Sequence, residues 1–276
     1  MTQDDLTFEE CLRLLETSTD RGVLVNAACN LARSEDPRAL PSLTGFLRDD
    51  EFLVRLDDLQ DPHIKTRGVS QIFMVLADHP RPEVAALCLT LGEDPVFLAD
   101  NDRLTPLLAA LARVRPMTEE TARFMERTNG EGYFAFNVPL LVENGSTQAL
   151  ALFEAMIADR EVPAPRRIDC LHNAVVPHRT DLRVLEAVVH LLEAPLEEPV
   201  YVGVVESVFD YKTKQWYGPA IGAPEPPPWT SAGDDVLELV LRLSDTVRSD
   251  ALPDELPGRV AAVRTEVRSI LAERHR

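Results

Sequence analysis

Apolar residues recur at i, i+3, i+4 and i+7 in one segment after another, and each such segment opens on polar residues that suit a helix start. Asp36-Pro-Arg-Ala-Leu-Pro-Ser-Leu-Thr-Gly-Phe-Leu47 and Asp181-Leu-Arg-Val-Leu-Glu-Ala-Val-Val-His-Leu-Leu192 show the pattern most plainly. Each is followed by a second segment of the same period, so the spacing predicts helical hairpins that recur about every 40 residues. A hairpin of this kind buries its apolar face only against its neighbours, which makes the expected fold all-α: an α-solenoid of about seven antiparallel helical hairpins forming one domain over residues 1–276.

The seven pairs are read as Thr7 to Glu16 with Arg21 to Arg33, Pro37 to Leu47 with His63 to Ala77, and Pro82 to Leu91 with Arg103 to Val114. Thr118 to Arg127 with Tyr133 to Val142 follows, then Thr147 to Ala158 with Pro165 to Val175. The last two are Leu182 to Leu192 with Pro199 to Tyr211, and Asp234 to Val247 with Leu256 to Glu273. Prolines 163, 165, 177, 195 and 199 fall at or outside helix ends, where a missing N–H costs least. Asn129-Gly130 reads as a turn or C-cap. Two stretches stand outside the pattern: an acidic connection from Arg48 to Pro62, and a proline- and aromatic-rich loop over 211–233.

Asp36-Pro-Arg-Ala-Leu-Pro-Ser-Leu at the start of a first helix, and Asp61-Pro-His-Ile-Lys-Thr-Arg-Gly-Val leading into a second, resemble the HEAT-repeat family. The resemblance covers most of the chain as architecture and is closest residue by residue in the Asp36 to Leu76 unit. It implies a curved stack with first helices outside and second helices lining a concave, macromolecule-binding surface, and it implies no catalytic residues. Some members of this wider group are similar to bilin lyases or alkyl-base DNA glycosylases, which leaves an enzyme as the alternative. A structural subunit of a larger assembly is another.

The formal net charge of −18 disfavours nucleic acid, because an acidic surface forgoes the counterion release that drives phosphate-backbone binding. A basic protein or peptide is the partner this charge attracts. Lysine occurs only at Lys65, Lys212 and Lys214, leaving 25 of the 28 basic residues as arginine, a bias that a GC-rich bacterial genome accounts for. Cys11, Cys29, Cys88 and Cys170 each sit inside an apolar helical pattern without CxxC or Cys/His spacing, so they read as buried thiols in a reducing compartment. The N-terminus Met-Thr-Gln-Asp-Asp lacks an apolar core, and no stretch approaches 18 apolar residues, so a cytoplasmic protein with no membrane association is expected.

Aligning the second helices places Cys29, Gln71, His172 and Glu206 in one column, and Asn26, Gly68, Asp169 and Gly203 in another. Gln71, Asp169, His172 and Glu206 are therefore candidate partner-binding residues, the alternative being ordinary helix-surface polar groups. The loop contributes Trp216, Tyr217 and Trp229, either as exposed anchors for a partner or as a strap that lays its aromatics over the last two hairpins. The acidic connection lacks the glycine and ligand spacing of a calcium loop and reads as solvated. Cys170, His172, His178 and Asp181 invite a metal or thiol reading, but Cys170 sits where a core residue is expected and His178 follows Pro177 in a turn, and no cofactor motif such as GxGxxG, Walker A, HExxH or GxSxG is present. The expected function is a non-catalytic protein- or peptide-binding scaffold, in its sharper form an inhibitor- or immunity-type binder of a basic protein.

Overall fold

The computed structural model describes residues 6–57, 67–210, 227–253 and 255–276, and every regular element among them is helical. They cluster into two compact units, Met1–Met125 and Glu126–Arg276. No helix among the described residues is long and apolar enough to cross a membrane.

In the first unit, α1 (Phe8–Thr17) and α2 (Arg21–Arg33) form a hairpin, followed by α3 (Ala39–Leu47), α4 (Asp50–Asp57), α5 (Gly68–Asp78), α6 (Pro82–Gly92), α7 (Pro95–Leu98) and α8 (Asn101–Arg113). Local signals set the starts. Thr7 and Glu10 close a reciprocal capping box, with the Glu10 carboxylate accepting from the Thr7 N–H at 2.8 Å, and Asp20 accepts from the Val23 N–H at 3.1 Å. The helices then lie in two rows: α2 packs on α5 and α5 on α8, while α3 packs on α6. Arginines tie helix ends across hairpins. Arg55 donates to the Ser18 carbonyl at 3.0 Å, and Arg81 to those of Ala32 and Ser34 at 3.2 and 2.7 Å.

The acidic connection departs from expectation, because Asp50–Asp57 is a helix. Phe52, Leu53 and Leu56 fall on one face of it and are buried, each worth roughly 1.5–3 kcal/mol, which outweighs the weak intrinsic helicity of so short a segment. Asp49 caps it, accepting from the Glu51 N–H at 2.9 Å. Asp57 then accepts from the Val69 N–H at 3.2 Å and pairs with Arg103 at 3.2 Å, joining α4 to the starts of α5 and α8. The expected helix start at His63 lies outside the described residues. Gly68 is where α5 meets α4: a Cβ there would stand 2.5 Å from the Leu56 carbonyl oxygen. It therefore faces α4, and its sequence-based alignment with Asn26 does not describe its contact. Gly45, inside α3, has open space around it.

Helix α9 (Glu119–Thr128) carries the chain between the units. The second unit then contains α10 (Phe134–Asn144), α11 (Thr147–Ala158), α12 (Ala164–Val175), α13 (Leu182–Glu193), α14 (Glu198–Phe209), α15 (Asp234–Thr246) and α16 (Leu256–Arg274). Two rows recur, α10–α12–α14–α16 and α11–α13–α15. Pro165 and Pro199 occupy the first turns of α12 and α14, as the sequence suggests. The Asn129-Gly130 turn is placed differently. A π-helical turn spans Asn129–Tyr133, and Gly132, at φ 107°, supplies the left-handed residue that reorients the chain.

Asp181 caps α13, accepting from the Arg183 N–H at 3.0 Å. Burial raises its carboxyl pKa, but hydrogen bonds from the Arg183 side chain and backbone together win, holding it below the usual carboxylate range. A depressed folded-state pKa stabilises the fold above the unfolded value and loses that contribution as pH falls through the folded one. Asp181→Asn keeps the capping oxygen and removes the charge. Its urea midpoint should therefore fall less steeply than the wild type's between about pH 5 and 2. Packing generates a contrast of sign: Gly68→Ala should cost about 1–3 kcal/mol by overpacking, while Gly45→Ala should stabilise by about 0.5–1 kcal/mol, both read by denaturant unfolding.

Candidate functional site

Helices α12 and α14 approach closely because residue 203 has no side chain: a Cβ on Gly203 would lie 2.9 Å from Ile168 Cγ1. One turn further along both helices, His172 Nε2 lies 3.5 Å from Glu206 Oε2, both side chains about three-quarters covered. The pairing expected from the column alignment is thus present, whereas Gly203 stands opposite Ile168 and not Asp169. Among the described residues no hydrogen bond reaches His172 Nε2. Asp169 is half-buried on the same helix, and the Asn173 amide donates to the Asp169 carbonyl oxygen at 2.9 Å. Gln71 is half-buried on α5 of the first unit.

The face offers the Glu206 and Asp169 carboxylates as acceptors, and its one cysteine is no nucleophile. Cys170 is buried, and burial pushes its thiol up to about 12, so it stays protonated at neutral pH. Its neighbour Arg166 lowers that value and Asp169 raises it, both less than burial does. Among the described residues, no three His, Cys, Asp or Glu side chains converge as a metal site.

The loop residues part ways. Trp216 and Tyr217 lie outside the described residues. Trp229 is 1% exposed, with the Arg179 guanidinium 4.7 Å from its ring centre, so it is a core residue and not an exposed partner anchor. The reason is the partner it finds: a buried aromatic under a cation gains both area burial and cation–π attraction.

Two buried arginines were missed in the sequence. Arg167, 1% exposed, donates to the Ile157 carbonyl at 3.0 Å and pairs with Glu197. A signal for it exists, since Arg167 falls on the same stripe as Cys170, Leu171 and Ala174. Arg179, in the turn before α13, has no such periodicity to betray it. Comparison with protein-family models, curated proteins and solved structures finds no match for this chain. The functional reading therefore rests on this geometry.

The Arg167–Glu197 pair is asymmetric, because the Glu197 side chain is 39% exposed. Removing the carboxylate strands a buried guanidinium, whereas removing the arginine leaves a carboxylate that water can solvate. Glu197→Ala should therefore destabilise by about 2–4 kcal/mol and exceed Arg167→Met, an ordering that urea titration of the two variants reads directly.

Proposed function

We propose that the chain is a non-catalytic, HEAT-like helical-repeat scaffold that binds a basic protein or peptide on the face formed by α12 and α14. One observation carries this reading: Gly203 seats the two helices so closely that His172 of α12 meets Glu206 of α14, both part-exposed, with the half-buried Asp169 one turn before His172 on α12, in a chain of net charge −18. The row packing of hairpins within each unit supports the repeat architecture. Carboxylates on neighbouring helices attract cationic side chains and accelerate their encounter, and the same charge repels phosphate backbones. In its sharper form the protein neutralises a basic toxin or nuclease. The four cysteines, all buried free thiols, suit a reducing cytoplasm.

The test compares the wild type with an Asp169→Lys/Glu206→Lys double variant as bait in cell extract at roughly 50 and 300 mM salt. One basic protein should be retained at low salt and lost at high salt. The double variant should bind it at least about tenfold more weakly while keeping the same circular dichroism and melting temperature. Retention unchanged by the double substitution would sink this reading.

A further inference from the structure

Residues 227–232 are held as a peptide ligand is held. Pro228 is extended (φ −68°, ψ 149°), and a single 3-10 turn, Trp229–Ser231, follows it. Among the described residues no backbone from another element hydrogen-bonds to this one; two arginine side chains do. Arg179 donates from Nε and Nη2 to the Pro227 carbonyl at 2.8 and 2.7 Å. Arg274, in the last turn of α16, donates to the carbonyls of Thr230 and Ala232, both at 2.8 Å. Between these clamps the Trp229 ring is buried beneath Arg179, and Ala232 is buried beside it in sequence.

Three carbonyls are thus read by guanidinium groups that lie on each side of an aromatic anchor. Docking of an extended proline-rich segment in a groove is a recurring mode of peptide recognition, and here Pro227 is the proline whose carbonyl a guanidinium reads, next to one buried ring. The Trp229 indole N–H has no hydrogen-bond partner among the described residues. The site uses the ring and leaves the polar edge of tryptophan unread. A loop whose only task were to complete the core would gain by satisfying that donor, since an orphaned buried N–H is costly.

We propose that Arg179, Arg274 and the space filled by Trp229 form a docking groove for a proline–proline–aromatic peptide, a groove this chain occupies in cis with its own residues 227–232. Occupation in cis masks the groove. A partner carrying a proline–proline–aromatic segment must displace the tethered one, which stands at an effective concentration on the order of millimolar. This groove is separate from the α12–α14 face, and its failure or success leaves that reading untouched.

The test uses the full chain carrying Trp229→Ala and a fluorescein-labelled peptide, Pro-Pro-Trp-Thr-Ser-Ala-Gly, the sequence of residues 227–233. Fluorescence anisotropy should show the variant binding the peptide at least about tenfold more tightly than the wild type, whose groove is filled. Peptide should also raise the variant's melting temperature. A peptide with alanine for tryptophan should bind neither protein, and Arg179→Ala added to the variant should abolish binding. A folded variant that binds no peptide up to about millimolar concentration, or that binds both peptides alike, overturns the proposal. Where Trp229→Ala does not fold alone, peptide should restore its helical circular dichroism, and failure to do so overturns the proposal equally. Trp229→Leu, which keeps an apolar side chain in the core, carries the same measurements with the same two outcomes.

Discussion

A short amphipathic helix cannot cover its own apolar face, so within each unit that face is covered by the other helices packed against it. In the first unit α5 is covered on one side by α2 and on the other by α8; in the second, α12 stands in the same way between α10 and α14. How closely certain neighbouring helices approach is decided at glycines. Gly68 admits the Leu56 carbonyl, Gly92 admits the Phe124 ring, and Gly203 admits Ile168. The last of these sets the distance across which His172 meets Glu206, so the candidate surface follows from a packing constraint.

Stacking of this kind leaves helix-end carbonyls without partners inside their own helices. The chain answers with arginine. Arg21 reaches the Leu56 carbonyl at 3.0 Å, Arg81 the end of α2, Arg160 the Pro195 carbonyl at 3.0 Å, Arg166 that of Gly132 at 2.9 Å, and Arg167 the end of α11. A planar fork of fixed donors suits two carbonyls, or a carbonyl and a carboxylate at once, in a way an ammonium on a flexible stem does not. Genome composition is one account of the arginine bias; these contacts add a physical one, because guanidinium groups stitch successive hairpins together.

The candidate site was legible only in part. His172 and Glu206 could be paired from sequence because parallel neighbouring helices of equal register carry equivalent positions side by side. Arg167 left a trace, a charge on an apolar stripe. Arg179 left none, since its meaning depends on residues 227 and 229, which lie nearly fifty positions away and share no period with it. The same dependence separates Trp229, now a core residue, from the exposed anchor it was one candidate to be.

Where a segment carries a full apolar period, helix identity and extent were local matters that the sequence by itself determined: Arg21–Arg33 stands where periodicity and its Asp20 cap place it, and Thr147–Ala158 where periodicity does. Those signals act over one or two turns, within reach of a single segment. Tertiary structure decided the rest. It turned the acidic Asp50–Asp57 stretch into a helix by giving Phe52, Leu53 and Leu56 something to cover, placed the chain reversal at Gly132, and buried two arginines and a tryptophan. Burial is a property of neighbours, and here the neighbours come from other hairpins.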